Sequence, residues 1–386
     1  MLGRPATYNP HGQPLTITDP NGVVRTLTYD NRLRLTSREV GTETTNFSYY
    51  PTGLLKQVTL PDSSYVLYTY DNAHRLTEIS DGAGDSIQYT LDNMGNRTAE
   101  KTHDPSNTLH RSHTRAYNAL NELYQDINAA GTSGVTTTYG YDSNANQTSI
   151  AAPLSRNTGN AYDPLNRLTQ ITDPNSGNTY FTYDSEDDLL SVKDPKSLTT
   201  SYAYNGFGNL SNQVSPDTGT TSNTYDSGGN LSSSTDARGA VSTYTYDAAN
   251  RVTSIAYTLS GVTDQTIAFG YDSGTYGKER LTSASDANHS LSWTYDFAGR
   301  VVGKGLTVGT VNLSAGYAFT NGDRTALVTP SGQAVAYGYN SHHQVTSVTV
   351  NGTTVLSGVT YEPFGGVNGW TWGDGSTTAA PSTGTA

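Results

Sequence analysis

Residues 162–182 read YDPLNRLTQITDPNSGNTYFT, 183–203 YDSEDDLLSVKDPKSLTTSYA, 204–224 YNGFGNLSNQVSPDTGTTSNT and 225–245 YDSGGNLSSSTDARGAVSTYT, and YDAANRVTSIAY follows from residue 246. Tyr162, Tyr183, Tyr204, Tyr225 and Tyr246 open these lines about 21 residues apart. A fixed period of this size marks a repeat architecture, in which neighbouring units bury one another and no unit folds alone. Function therefore has to be argued from the array, because no single segment looks like a site.

The period runs outward in both directions. Tyr8, Tyr29, Tyr49 and Tyr70 precede the regular block, and Leu91 takes the register position in the next unit. Longer units open at Tyr117 and Tyr141, with extra residues around Lys101–Arg115 and Asn128–Gly134 that predict inserted loops. Insertions return before Tyr271 and within YDSGTYGKERLT. Tyr295, a degenerate unit around Tyr317–Arg324, Tyr339 and Tyr361 complete about 17 units.

Each unit divides into two strands and two turns. The first strand alternates Thr and Tyr, as in STYTYD (242–247), VLYTYD (66–71) and TSYAYN (200–205). Residues two apart share a strand face, and β-branched and aromatic side chains suit a pleated surface. The period of two and the recurrent Gly, Asn and Pro set helix aside. Four residues after the register tyrosine stands a residue that tolerates positive φ, among them Gly12, Gly53, Asn121, Asn166, Asp187, Gly208, Gly229, Asn250 and Gly299. Tight hairpin connections require such residues. An aliphatic follows two positions later (Leu168, Leu189, Leu210, Leu231, Val252), opening a second strand that ends in turns such as Asp19-Pro20, Asp173-Pro174 and Asp194-Pro195. Proline there presets the turn.

The sequence thus predicts an all-β chain, a long antiparallel meander of β-hairpins. Thirty-odd strands at about 4.8 Å each would make a sheet on the order of 150 Å wide, and sheets twist over that many strands. The sheet must coil into a spiral shell or barrel-like cocoon. The array is expected over residues 1–375, and the small, polar stretch 376–386 as a disordered tail.

Composition excludes several function classes. The chain has 386 residues, 34% hydrophobic, with 39 Gly and 28 Tyr. So low an apolar share would suggest disorder, yet disordered chains are aromatic-poor, so tyrosine rings must supply the missing burial. A net charge of −12 without a basic run is wrong for nucleic acid. With no cysteine, the chain needs no disulfide and offers no thiol chemistry. No stretch reaches the roughly 18 apolar residues of a membrane helix, and MLGRPATYNPHG has no signal-peptide core. Tyr8 already sits inside a repeat, which reads as an internal start.

The Tyr-Asp dipeptide, the turn seen in YDPLNRLTQITDPNSG and YDAANRVTSI, and YNPHGQPLTITDPNG together resemble the RHS, or YD-repeat, family. VTYEPFGGVNGWTWGDG (359–375) is similar to a passage late in bacterial RHS cores. The resemblance covers Tyr8 to about Gly375. It implies a hollow cocoon of spiralling hairpins, which in bacterial toxin complexes and polymorphic toxins encloses a C-terminal toxic domain and in teneurins serves adhesion. Bacterial members end the core with a D-P-x-G-L type self-cleavage signature, and this chain stops before one. The implied role is a non-catalytic shell segment, secreted or at a bacterial cell surface. Its partners would be neighbouring shell segments and a C-terminal toxin or effector cargo of the same polypeptide.

Candidate chemistry is sparse. The aspartates after the register tyrosine (Asp71, Asp142, Asp163, Asp184, Asp226, Asp247, Asp272, Asp296) suggest a row of calcium ligands, but aspartate at the first turn position bonds nearby backbone N–H groups, and capping is the better reading. DSEDD (184–188) lacks the alternating ligand spacing of a calcium loop. His103, His110 and His113 have no third zinc ligand at a characteristic spacing and read as surface-loop histidines, as do His342 and His343 in a turn. YGKER (276–280) lacks the glycine and Ser/Thr of a phosphate loop, and no serine has a His–Asp pairing by spacing. No enzyme, metal or cofactor is expected. Exposed aromatics could stack on sugars, which keeps a glycan-binding adhesin as the alternative. Trp370 and Trp372 are its best candidates, because they fall outside the strict period.

Overall fold

The computed structural model describes residues 5–130 and 133–379. Thirty-five strands, numbered in chain order from β1 (Ala6–Tyr8) to β35 (Thr377–Ala379), form one antiparallel sheet, each pairing with the next along the chain. The described residues contain no helix.

Both turns of a unit use one device. In the turn after β19 (Thr199–Tyr204), Asn205 N–H donates to the Asn209 carbonyl and Gly208 N–H to the Asn205 carbonyl, with Gly208 at φ +73°. At the other end of a unit, Asp173 N–H donates to the Gly177 carbonyl and Ser176 takes φ +66°. A tight turn followed by a left-handed residue inserts one extra residue into the ladder. The register shifts accordingly at each register tyrosine, for example between Thr182 and Tyr183 and between Ala203 and Tyr204.

That shift ends the ladder on the preceding side early, and the tyrosine hydroxyl takes over. The pairing of β18 (Leu189–Lys193) with β19 stops at Ser191–Ser201, and beyond it Tyr204 donates to the Leu189 carbonyl (3.1 Å). Tyr183 does the same to Leu168 (2.9 Å) and Tyr225 to Leu210 (2.7 Å), so the three tyrosines hold one register position in successive hairpins. The opposite face carries hydroxyl ladders, as in Thr182–Ser191 and Thr245–Ser254.

Such a wall has little core. Among the described residues the buried apolar side chains are Leu27 (9% exposed), Ala99 (7%) and Pro363, with buried Thr45, Ser64, Ser86, Thr102, His103 and Thr282. Most of these fall between residues 27 and 103, where the sheet meets itself. Asn21, between β2 (Pro14–Thr18) and β3 (Val24–Tyr29), contacts Lys278, between β25 (Val262–Tyr271) and β26 (Leu281–Ser285), 257 residues on. A circuit of 23 strands at about 4.8 Å gives a coil roughly 35 Å across, which 35 strands wind about one and a half times.

Two expectations are corrected. The extra residues after Lys101 form no loop; they lengthen β11 (Leu109–Tyr117) to 9 residues and β12 (Leu123–Ala130) to 8, because added β-branched and alternating residues extend the ladder at no turn cost. His103 closes β10 (Arg97–His103), and His110 and His113 lie on β11. The tail expected from Ser376 begins instead with β35, paired to β34 (Val367–Trp372), since a free sheet edge recruits even a small polar strand. Residues 380–386 of that tail lie outside the described residues.

Replacing Gly208 by Val tests the turn. A Cβ there meets nothing closer than Asp188 Oδ2 at 4.0 Å, so the cost is conformational. A β-branched residue held at positive φ should cost on the order of 1–2 kcal/mol and lower the thermal midpoint, whereas Gly208→Asn should stay near wild type. Equal melting of all three would show that this turn does not limit stability.

Candidate functional site

Because strands alternate in direction, the two turn types occupy opposite rims of the wall. Tyr-Asp turns line one rim and Asp-Pro type turns the other. On the first rim Asp71, Asp142, Asp163, Asp226, Asp247 and Asp296 each accept two backbone N–H bonds, from the residues two and four positions on. Asp184 caps in the same way within DSEDD, its Oδ1 taking the N–H groups of Glu186 and Asp188. The carboxylate row is thus consumed in capping. Asp272 is the exception: itself at φ +66°, it accepts the Glu279 N–H (2.6 Å) across the longer turn.

Arginine four residues after the aspartate ties neighbouring turns together. Arg167 Nε donates to Asp163 (2.8 Å), its Nη1 donates to the Asp184 carbonyl of the next turn (2.7 Å), and its guanidinium lies 5.1 Å from the Tyr183 ring centre. Arg251 repeats the pattern with Asp247, the Asp272 carboxylate and Tyr271.

The two rims meet where the coil overlaps itself. Asn21 Oδ1 accepts the Lys278 N–H (2.7 Å) and its amide donates back to the Lys278 carbonyl (3.3 Å). The Phe297 ring lies over Gly41, only 2.6 Å from where a Cβ would stand. Arg300 donates to Asp296 (2.7 Å) and to Glu43 of the other circuit (2.8 Å), which also accepts the Gly322 N–H (3.2 Å). His343 stands between Asp323 and Asp62, and His110 between Asp104 and Glu362. A cavity of about 600 Å³ opens along this seam, lined among others by Arg25, Arg38, Leu60, Asn321 and His343. A second, of about 520 Å³, lies beside Asn21, Tyr276 and Phe297.

Among the described residues, Asp62, Asp323 and His343 bring their donor atoms within 4.8 Å of one another. Asp62 faces Nε2 (3.0 Å) and Asp323 faces Nδ1 (2.9 Å). As the side chains stand, the trio is an imidazole bridged by two carboxylates, one on each ring nitrogen. His113 pairs with Asp126 and Arg115, and His103 Nδ1 is buried without a partner.

Trp370 and Trp372 share one face of β34 and meet edge to face, ring centres 5.7 Å apart at 85°. Trp372 is 44% exposed and its Nε1 donates to Thr378, while the Trp370 Nε1 is buried without a partner. The pair offers one accessible ring, not a flat double platform. The seam itself carried no sequence signal, because which turns meet depends on the number of strands per circuit.

A sequence model of the RHS Repeat family matches residues 8–45, 49–86, 162–196, 183–220 and 225–263. No curated protein matches the chain by sequence. Among solved structures the chain is similar to TcdB2-TccC3 without its hypervariable C-terminal region (TM-score 0.75, 12% identity, 98% of this chain and 28% of that one). It is also similar to TcdB2-TccC3-TEV (TM-score 0.71, 12% identity, 99% and 25%). A third is the Photorhabdus luminescens Tc holotoxin pore (TM-score 0.65, 12% identity, 95% and 24%). The chain spans about a quarter of the length of these solved chains. At such identities the likeness is one of fold.

The caps predict an acid limit. Hydrogen bonds from the residue four positions on hold Asp71, Asp142, Asp163, Asp226 and Asp247 below the ordinary aspartate value. The Arg251 guanidinium brings Asp272 down to about 2, and the Asn288 N–H, with further donors, brings Asp286 to about 2. A carboxyl lowered on folding adds stability that is complete above its unfolded value, near 3.8, and is lost as pH falls through the folded one. The thermal midpoint should therefore hold from neutrality to about pH 4 and fall steeply towards about pH 2. A midpoint unchanged at about pH 2.5 would remove the caps from the account.

Proposed function

Because the chain is an RHS-repeat protein, we propose that it is a non-catalytic stretch of wall in the shell of an RHS-type polymorphic toxin or secreted effector. The shell encloses or presents a C-terminal toxic domain that lies outside these 386 residues. The observation that carries this reading is the coil closing on itself. The single-layer sheet returns after 23 strands and its rims bond across the seam, which makes a lateral wall around a space, not a flat surface. One of the similar structures is a Tc holotoxin pore, which supports the toxin class, and the 24–28% of those chains that this one spans supports its being a segment. Its partners are further shell segments and the cargo, and its place of action is outside the producing cell. No helix of the described residues is long and apolar enough to cross a membrane.

Limited proteolysis of the complete natural polypeptide, followed with an antibody to its C-terminal segment, tests the proposal. The cargo should resist protease while the array is folded and be digested once it is denatured. Digestion at the same rate in both states would overturn the enclosing role.

A second reading, a surface adhesin binding glycans, rests on the exposed ring of Trp372. Tryptophan fluorescence should then respond to a glycan in the wild type and not in Trp372→Ala. Silence across a glycan array removes this reading and leaves the first untouched.

A further inference from the structure

Two histidines on the seam stand in one arrangement. His110 Nδ1 lies 2.9 Å from Glu362 Oε2 and its Nε2 3.3 Å from Asp104 Oδ2. Asp104 belongs to the same circuit as His110, and Glu362 to the other, 252 residues on. His343 repeats this from the opposite side. Its Nδ1 lies 2.9 Å from Asp323 of its own circuit and its Nε2 3.0 Å from Asp62 of the other. Each ring therefore has a carboxylate on both nitrogens, one from each circuit. An imidazole donates from both nitrogens only as imidazolium; a neutral ring turns a lone pair towards one of the two carboxylates.

We propose that His110 is a proton-operated latch on the inter-circuit seam, closed by imidazolium and released on deprotonation, with the bridged His343 ring as a second joint beside it. The surroundings favour the cation. Around His110 stand Asp104, Glu362 and Asp85, and the neighbouring Arg111 is paired with Glu100. Around His343 stand Asp62 and Asp323, with Glu43, Arg25 and Arg38 across the cavity; Glu43 is already engaged by Arg300. The second Asp62 oxygen, Oδ2, is buried with no hydrogen-bond partner. Burial pulls the His110 imidazole down, but its bonds to Asp104 and Glu362 outweigh this and hold it above its ordinary value of 6.5. A group raised on folding adds stability that is complete below its unfolded value and is lost as pH rises through the folded one. The latch therefore holds up to about pH 6.5 and weakens as the pH rises through the raised His110 value.

The position of the latch gives the opening a direction. Along the seam the order is Asn21–Lys278, Glu43–Arg300, Asp62–His343 and His110–Glu362. The first two contacts are an amide pair and an arginine bridge, which do not titrate near neutrality. Raising the pH therefore frees the His110 end while the Asn21 end holds, and the overlap parts like a hinged flap.

The chain has no cysteine, so labels can be placed at will. Spin labels on Ser106→Cys and Phe364→Cys, exposed turn residues beside the latch, report its opening by electron–electron distance measurement. A control pair on Thr42→Cys and Ala298→Cys spans the fixed end. At about pH 5.5 the latch pair should give one narrow distance, and at about pH 8.5 a longer population increased on the order of tenfold, with the control pair unchanged. The double variant His110→Gln/His343→Gln, whose side chains donate from a single amide nitrogen and do not titrate, should lose the response. A latch-pair distribution identical at both pH values, or a response that survives in the double variant, overturns the proposal. Should the double variant not fold, nitrogen NMR of the wild-type His110 ring decides. Both nitrogens protonated at about pH 6.5 supports the latch, and a neutral tautomer there overturns it. Either outcome is independent of any cargo and leaves the shell reading to its own test.

Discussion

The bond on which this architecture depends is the one from a register tyrosine hydroxyl to a backbone carbonyl one hairpin back. A capped turn with a left-handed residue makes a secure hairpin, but its extra residue breaks the register and leaves a carbonyl beyond the end of the next ladder. Water would satisfy that carbonyl in an isolated hairpin. In the array Tyr183, Tyr204, Tyr225 and Tyr246 reach it instead, with bonds of 2.7–3.1 Å. Each such bond is worth only about 1 kcal/mol, but it couples one unit to the next, and it does so while the ring covers the half-buried face. This is why the chain can spend so many tyrosines and so few aliphatics. A single-layer wall has no interior to fill, and a ring with a polar tip suits a surface that is half wet.

The same logic explains what the sequence made legible. Everything that repeats with the tyrosine could be read: the strand pairs, the positive-φ residues at Gly208, Gly229 and Asn250, and the capping role of Asp71 and its equivalents. These are local, fixed by residues within five positions of one another, and a periodic sequence displays them over and over. The insertions after Lys101 were misread for a related reason. Their added residues keep the strand alternation, and nothing local distinguishes a longer hairpin from a loop until the partner strand is known to lengthen with it. The tail after Ser376 was likewise judged on composition, whereas an available edge at β34 decided its first residues.

The seam was illegible on principle. His110 and Glu362 are 252 residues apart, Asn21 and Lys278 257, Glu43 and Gly322 279. These separations share no period, because they are set by how many strands complete a circuit, and that follows from accumulated twist and bulge geometry. Residues that matter at the seam therefore look like noise in the repeat. Phe297 stands beside the register aspartate Asp296, where other units carry Ser, Pro, Ala, Asn or Gly, and Gly41 lies in a turn without the usual aspartate. Only together do they make sense, since a Cβ at Gly41 would strike the Phe297 ring.

This separation between repeat and seam bears on how such a wall can both hold and open. Within a circuit each hairpin is joined to its neighbours by continuous backbone ladders and tyrosine bonds, so no hairpin leaves without breaking several. Between circuits the joints are few, side-chain based and spaced a hairpin or more apart. The weakest direction of the structure is thus along the overlap, and a change of charge at one or two positions acts there on a small number of bonds instead of a sheet. Burial points to the same place. Leu27, Thr45, Ser64, Ser86 and Ala99 are buried where the second circuit meets the first. The ionic joints Glu43–Arg300, Asp62–His343 and His110–Glu362 lie in this same region, so a change of charge acts where the wall is already least continuous.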